Sequence, residues 1–220
     1  MAPENIVLPL VYKIRRAASP GAGPNPALVL LHGRGSDEDA LPELAARVDP
    51  RFLVVGVRAP RPCGRPGGGY TWYDIPGAFT PHPRHLEEGS DRLRECILGL
   101  ARQYPVDRRR VYAAGFSMGG VLCYALALAA PRLLGGVAVH SGYIPGGLRP
   151  GFVRDRLQGL PVFVAHGTGD PVVPVGLARS ARAILAGAGA EITYREYPAP
   201  HRITRASLDA LTAWLREALA

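Results

Sequence analysis

The feature that most constrains this chain is an alternation, repeated along its length, of short apolar runs with longer stretches of helical periodicity. A strand that is apolar at every position must be covered on both faces, and helices placed between successive strands do the covering. The pattern therefore predicts a mostly parallel central sheet with helices on both faces. The clearest strands are residues 10–14, 27–31, 52–57, 111–114, 137–140, 162–166 and 192–197. Helical periodicity covers 41–48, 87–103, 118–130, 177–187 and 203–219, the last of which puts Leu208, Leu211, Leu215 and Trp214 on one stripe. Residues 10–14 include Lys13 and read as an edge strand.

At 220 residues and 47% hydrophobic content, the chain suits one α/β domain over residues 1–220, with no room for a large lid domain. Residues 58–85 are rich in Gly and Pro and hold Tyr70, Trp72, Tyr73 and Phe79, so they are expected to form a long structured loop.

Several partner classes are set aside by composition. No apolar run is long enough to span a membrane, and Met1 to Pro9 lack the basic start and apolar stretch of a secretory leader, so the expectation is cytoplasmic. The net charge of +8 attracts anions in general, but the arginines are scattered instead of interleaved with aromatics, and no nucleic-acid partner is expected. Cys63, Cys96 and Cys123 lack the close spacing of a zinc or redox pair, and His140 and His166 lack the spacing of metal ligands. The site is expected to hold no metal, with both histidines satisfied in or near the core.

The chemistry concentrates where strands end. Gly115-Phe116-Ser117-Met118-Gly119 follows the 111–114 strand and opens an apolar helix. A strand, a sharp turn and a helix around GxSxG form a nucleophile elbow, in which side chains two residues on either side of the serine would crowd the turn. A serine hydroxyl needs a base, and in such sheets the order along the chain is Ser, then Asp or Glu, then His. Of the six histidines, His32, His82, His85, His140 and His166 all precede Asp170, which leaves His201 in the final place; it stands beyond the 192–197 strand. Asp170, just past the 162–166 strand, is the expected acid, with Asp155 as runner-up and Glu191 and Glu196 behind it. The glycines of Leu31-His32-Gly33-Arg34-Gly35 let a backbone N–H point at a developing oxyanion, and the Met118 N–H is the expected second donor. His32 is expected to brace that loop.

Taken in order, Leu31 to Gly35, Trp72-Tyr73-Asp74-Ile75, Glu87-Glu88-Gly89, Gly115 to Gly120, His166 to Asp170 with Pro171 to Pro174, and His201 resemble the phospholipase/carboxylesterase family of the α/β-hydrolase fold, bacterial carboxylesterases and acyl-protein thioesterases included. The resemblance runs over nearly the whole chain. It implies a catalytic Ser117, Asp170 and His201, an oxyanion hole from the Arg34 and Met118 N–H groups, a substrate groove lined by the Trp72 segment, and no cofactor. It allows a homodimer. Many relatives carry leucine at the Arg34 position and glutamine at the Met118 position; catalysis through backbone N–H groups should survive both changes, but Arg34 puts a charge beside the acyl site. The expected activity is that of a serine carboxylesterase on small esters or thioesters. Lysophospholipase or acyl-protein thioesterase is the alternative within the family, and a non-catalytic binding protein of the same fold is the reading from another class.

Overall fold

The computed structural model describes residues 8–19, 23–64, 67–147 and 157–219. In chain order the strands are β1 (Tyr12–Arg15), β2 (Asn25–Leu31), β3 (Leu53–Val57), β4 (Arg61–Pro62), β5 (Tyr70–Thr71), β6 (Val106–Phe116), β7 (Gly136–His140), β8 (Pro161–Gly167) and β9 (Glu191–Tyr197). The helices are α1 (Pro42–Arg47), α2 (Pro83–Gln103), α3 (Met118–Ala129), α4 (Val175–Gly187) and α5 (Arg205–Glu217). Seven strands form one sheet in the order β1-β3-β2-β6-β7-β8-β9, and β4 pairs with β5 in a small hairpin. Within the seven-stranded sheet, among the described residues, only β1, at one edge, runs antiparallel to its neighbour.

The period of two along each strand divides the core into two layers. On β2, Ala27, Val29 and Leu31 face the layer shared with α2, α3 and α4, while Leu28 and Leu30 face the one shared with α1 and α5. Helix α3 has no polar side: every residue from Met118 to Leu128 is buried, as a helix apolar all round must be. Helix α5 is amphipathic and starts in a capping box, in which Ser207 N–H donates to Thr204 Oγ1 at 3.1 Å and Thr204 N–H to Ser207 Oγ at 3.0 Å. Its Leu208, Leu211 and Leu215 are buried, each contributing on the order of 2 kcal/mol of apolar transfer.

Residues 58–85 are more ordered than a single loop. Tyr70 ties the hairpin to the end of β2, since its carbonyl accepts the Gly35 N–H at 2.9 Å and its N–H donates to Ser36 O at 2.8 Å. Arg58 forms a two-pronged ion pair with Glu38, and its guanidinium lies 4.6 Å from the Tyr70 ring centre. Helix α2 starts at Pro83, four residues before the expected 87, because a proline at the first helical position already has helical φ and gives up only an N–H that would be unpaired there.

The sheet order reverses at β2. From there the chain fills positions on one side with β3 and on the other with β6, so the carboxyl ends of β2 and β6 bound the crevice where open α/β sheets bind ligands.

Candidate active site

Ser117 sits in that crevice, on the turn between β6 and α3. Its φ of 53° is left-handed, a strain that the surrounding contacts hold in place, among them the Ser117 N–H bond to His140 O at 2.8 Å. The flanking glycines are required by contact. A Cβ on Gly115 would lie 2.4 Å from Gly119 backbone atoms, and one on Gly119 would lie 2.4 Å from Leu31 O. Gly33, on the loop after β2, brings that loop against the serine: a Cβ there would be 3.6 Å from Ser117 Cβ.

The three residues expected to work together are joined by hydrogen bonds. Ser117 Oγ lies 2.9 Å from His201 Nε2, and His201 Nδ1 lies 2.7 Å from Asp170 Oδ2. Because a carboxylate only accepts, Nδ1 carries the proton and Nε2 is the lone pair that faces the serine hydroxyl. Asp170 is buried, and its Oδ1 accepts the N–H groups of Val172 at 2.9 Å and Val173 at 2.8 Å. Burial alone would push this carboxyl up, but the Val173, His201 and Val172 hydrogen bonds outweigh it, and its pKa lies below the ordinary aspartate value. Asp155 lies outside the described residues, and Glu196 is engaged elsewhere, with Arg179 and Tyr194.

Among the described residues the N–H groups of Arg34 and Met118 have no hydrogen-bond partner, whereas that of Gly35 is taken by Tyr70. His32 braces the loop: its Nε2 accepts the Ala59 N–H at 3.0 Å, which leaves Nδ1–H to donate to Gly33 O at 2.6 Å. Burial lowers the His32 pKa and keeps the ring neutral, as this arrangement requires. The Arg34 side chain is exposed, with no acidic partner among the described residues.

Trp72 corrects an expectation. It does not line a groove, being fully buried, and its Nε1–H donates to His32 O at 3.0 Å, so it fastens the loop after β2 from beneath. Sequence alone could not separate these roles, because a groove wall and a packed support call for the same residue type. Met118 is a residue whose side chain sequence reasoning passed over. Its sulfur accepts the Trp72 N–H at 3.4 Å, linking the elbow to the Trp72 segment, where a long flexible thioether fits the irregular gap.

His140 and His166 are buried but not fully satisfied: His140 Nε2 and His166 Nδ1 lack partners among the described residues. Burial lowers the His140 pKa to about 4. A histidine with a depressed folded-state pKa binds its proton more readily when unfolded, so it opposes folding as pH falls from about 6.5 towards 4. Global stability is therefore expected to drop over that window by an amount on the order of 2–3 kcal/mol from this group. His140→Gln should flatten the drop, measured by urea unfolding at pH 7, 5.5 and 4.5; equal slopes for both proteins would contradict the assignment.

A sheet of this order, with its helical layers and a serine on the sharp turn after a central strand, defines the α/β-hydrolase fold. The sequence matches the phospholipase/carboxylesterase family over residues 13–219, and the chain belongs to that family. It is 32% identical to the probable carboxylesterase SOBER1-like of Arabidopsis thaliana over 154 residues, 67% of this chain and 58% of that protein. It is 26% identical to lysophospholipase-like protein 1 of Mus musculus over 222 residues, 93% of this chain and 92% of that protein. The crystal structure of a Bacillus cereus carboxylesterase superposes with a TM-score of 0.85 at 25% identity, covering 95% of this chain and 94% of that one. The chain is thus an esterase-type hydrolase of this family. Among the described residues no helix is long and apolar enough to cross a membrane.

Proposed function

We propose that this protein is a serine carboxylesterase that hydrolyses small carboxylic esters, and thioesters by the same route, as a single domain in the cytoplasm. The observation that carries the reading is the unbroken hydrogen-bond chain from Ser117 Oγ through His201 to Asp170. His201 Nε2 takes the hydroxyl proton as Oγ attacks the carbonyl carbon, while the ionised Asp170 stabilises the imidazolium that forms. The free N–H groups of Arg34 and Met118 are the donors available to the oxyanion. The tetrahedral species collapses as His201 returns the proton to the departing alcohol or thiol, leaving an acyl group on Ser117. Water, deprotonated by His201 in turn, then releases the acid. Each step uses the chain's own groups and water, so the proposal includes no cofactor and no metal.

Hydrolysis of p-nitrophenyl esters from acetate to palmitate tests this reading, with turnover expected to peak at short chains. No turnover with any member would end it and bring forward a non-catalytic role. A second reading, a lysophospholipase or acyl-protein thioesterase, is favoured by the exposed Ile75, Phe79 and Val172 and by a cavity of about 310 Å³ among Phe79, Pro81, Leu86, Ala125, Ala129 and Pro145. A long-chain optimum would select it.

Arg34 bears on the same choice. An exposed guanidinium on the loop that Gly33 brings against Ser117 disfavours a long alkyl chain, and Arg34→Leu is expected to raise activity on the decanoate ester relative to the acetate by about three- to tenfold. An unchanged acyl-length profile would mean that the side chain points away from the acyl group.

A further inference from the structure

The buried side chain beside the acid is itself a histidine. His166 is the second-to-last residue of β8, and its side chain, like that of Asp170, is fully buried. Its Nε2 lies 2.7 Å from Val173 O and 3.5 Å from Asp170 Oδ2. A carbonyl can only accept, so Nε2 carries a proton and donates it mainly to Val173, with its positive end leaning towards the carboxylate. Val173 is thereby held at both ends, since its own N–H donates to Asp170 Oδ1 at 2.8 Å.

From this double tie we infer that His166 is a positioning residue for the reaction: by locking the turn from Asp170 to Val173 it fixes the carboxylate that orients His201. The inference rests on the proposed roles of Ser117, His201 and Asp170. Among the described residues the polar partners of His166 Nε2 are Val173 O and Asp170 Oδ2, not Ser117 or His201, so it acts through Asp170.

The geometry dictates what can replace it. A glutamine carries its amide nitrogen at about the reach of Nε2 and can still donate to Val173 O. An asparagine is one bond too short and reaches only the position of Nδ1, where no partner waits. A leucine fills similar space and donates nothing. With the tie gone the turn relaxes, Asp170 turns from Nδ1, and the imidazolium of His201 loses part of its stabilisation.

The test is kcat and KM for a short p-nitrophenyl ester, measured per active site by titration with an organophosphorus ester, for wild type, His166→Gln, His166→Asn and His166→Leu. For the leucine variant kcat should fall by about 10- to 100-fold, the range for small misplacements of a reacting group, with KM within about twofold. The acid limb of its kcat/KM profile should move to lower pH by about half a unit or more, because a less stabilised imidazolium loses its proton sooner. Glutamine should restore most of kcat and the limb; asparagine should not. A purely structural role would lower the number of titrated sites without moving the limb or kcat per site, and that result would overturn the inference. If leucine gives no titratable protein, the amides decide, and equal kcat for the two would overturn it. Ser117→Ala is run alongside. Activity surviving in that variant would refute the serine mechanism, whereas a dead Ser117→Ala beside unaffected His166 variants would refute the role of His166 alone.

Discussion

Replacing Ser117 by alanine is expected to lower kcat on a short p-nitrophenyl ester by about a million-fold, leaving only what oxyanion donors and binding supply over water. The side chain removed is small, and its oxygen is hydrogen-bonded to His201 Nε2. Alanine also inherits the same left-handed backbone, held by the Ser117 N–H bond to His140 O and by glycines at 115 and 119. Stability should therefore change by no more than about 1 kcal/mol, so that lost activity cannot be assigned to unfolding. The measurement is kcat beside a thermal melt of the same preparation. Turnover within tenfold of wild type would mean that another group attacks the ester.

The second large effect is expected of Asp170→Asn, a loss of about 10,000-fold in kcat with the fold intact. The reason lies in the surroundings of the two side-chain atoms. Val172 and Val173 both present N–H groups to Oδ1, so an asparagine must keep its carbonyl oxygen there and turn its NH2 towards His201. His201 Nδ1 must then accept, which moves the ring proton to Nε2, the atom that should receive the serine proton. Asp170→Ala should cost less in relative terms, since it leaves the tautomer free while removing only orientation and charge. Equal activity of the asparagine variant and wild type would remove Asp170 from the reaction.

The fold was readable because burial on two faces leaves a mark on composition. The apolar runs at 27–31 and 162–165 suit central strands, as β2 and β8 are, and Lys13 marked an edge that indeed belongs to β1. Boundaries were less legible. Proline at 83 is compatible with a loop or with the first turn of a helix, and the preceding segment hides a hairpin of two residues per strand, too short for any periodicity to register.

For the site, the GxSxG turn pointed to Ser117 and residue order to His201, with Asp170 ahead of Asp155 as the acid, because covalent chemistry needs particular groups and the sheet fixes the sequence in which strand ends supply them. Their separations along the chain, 84 residues from Ser117 to His201 and 31 from Asp170 to His201, are closed only by the folded sheet. Which atoms meet there, and which tautomer results, was decided by tertiary contacts that carry no local signal. Trp72, Met118 and His166 belong to that second group. An indole, a thioether and an imidazole look alike in sequence whether they face a groove or a core, since what distinguishes the two places is the partner opposite: His32 O for the indole, the Trp72 N–H for the sulfur, and Val173 O for the imidazole. Residue type and order thus determined the available chemistry, and packing decided its support, because a hydrogen bond depends on where its two ends lie in space and not on their distance along the chain.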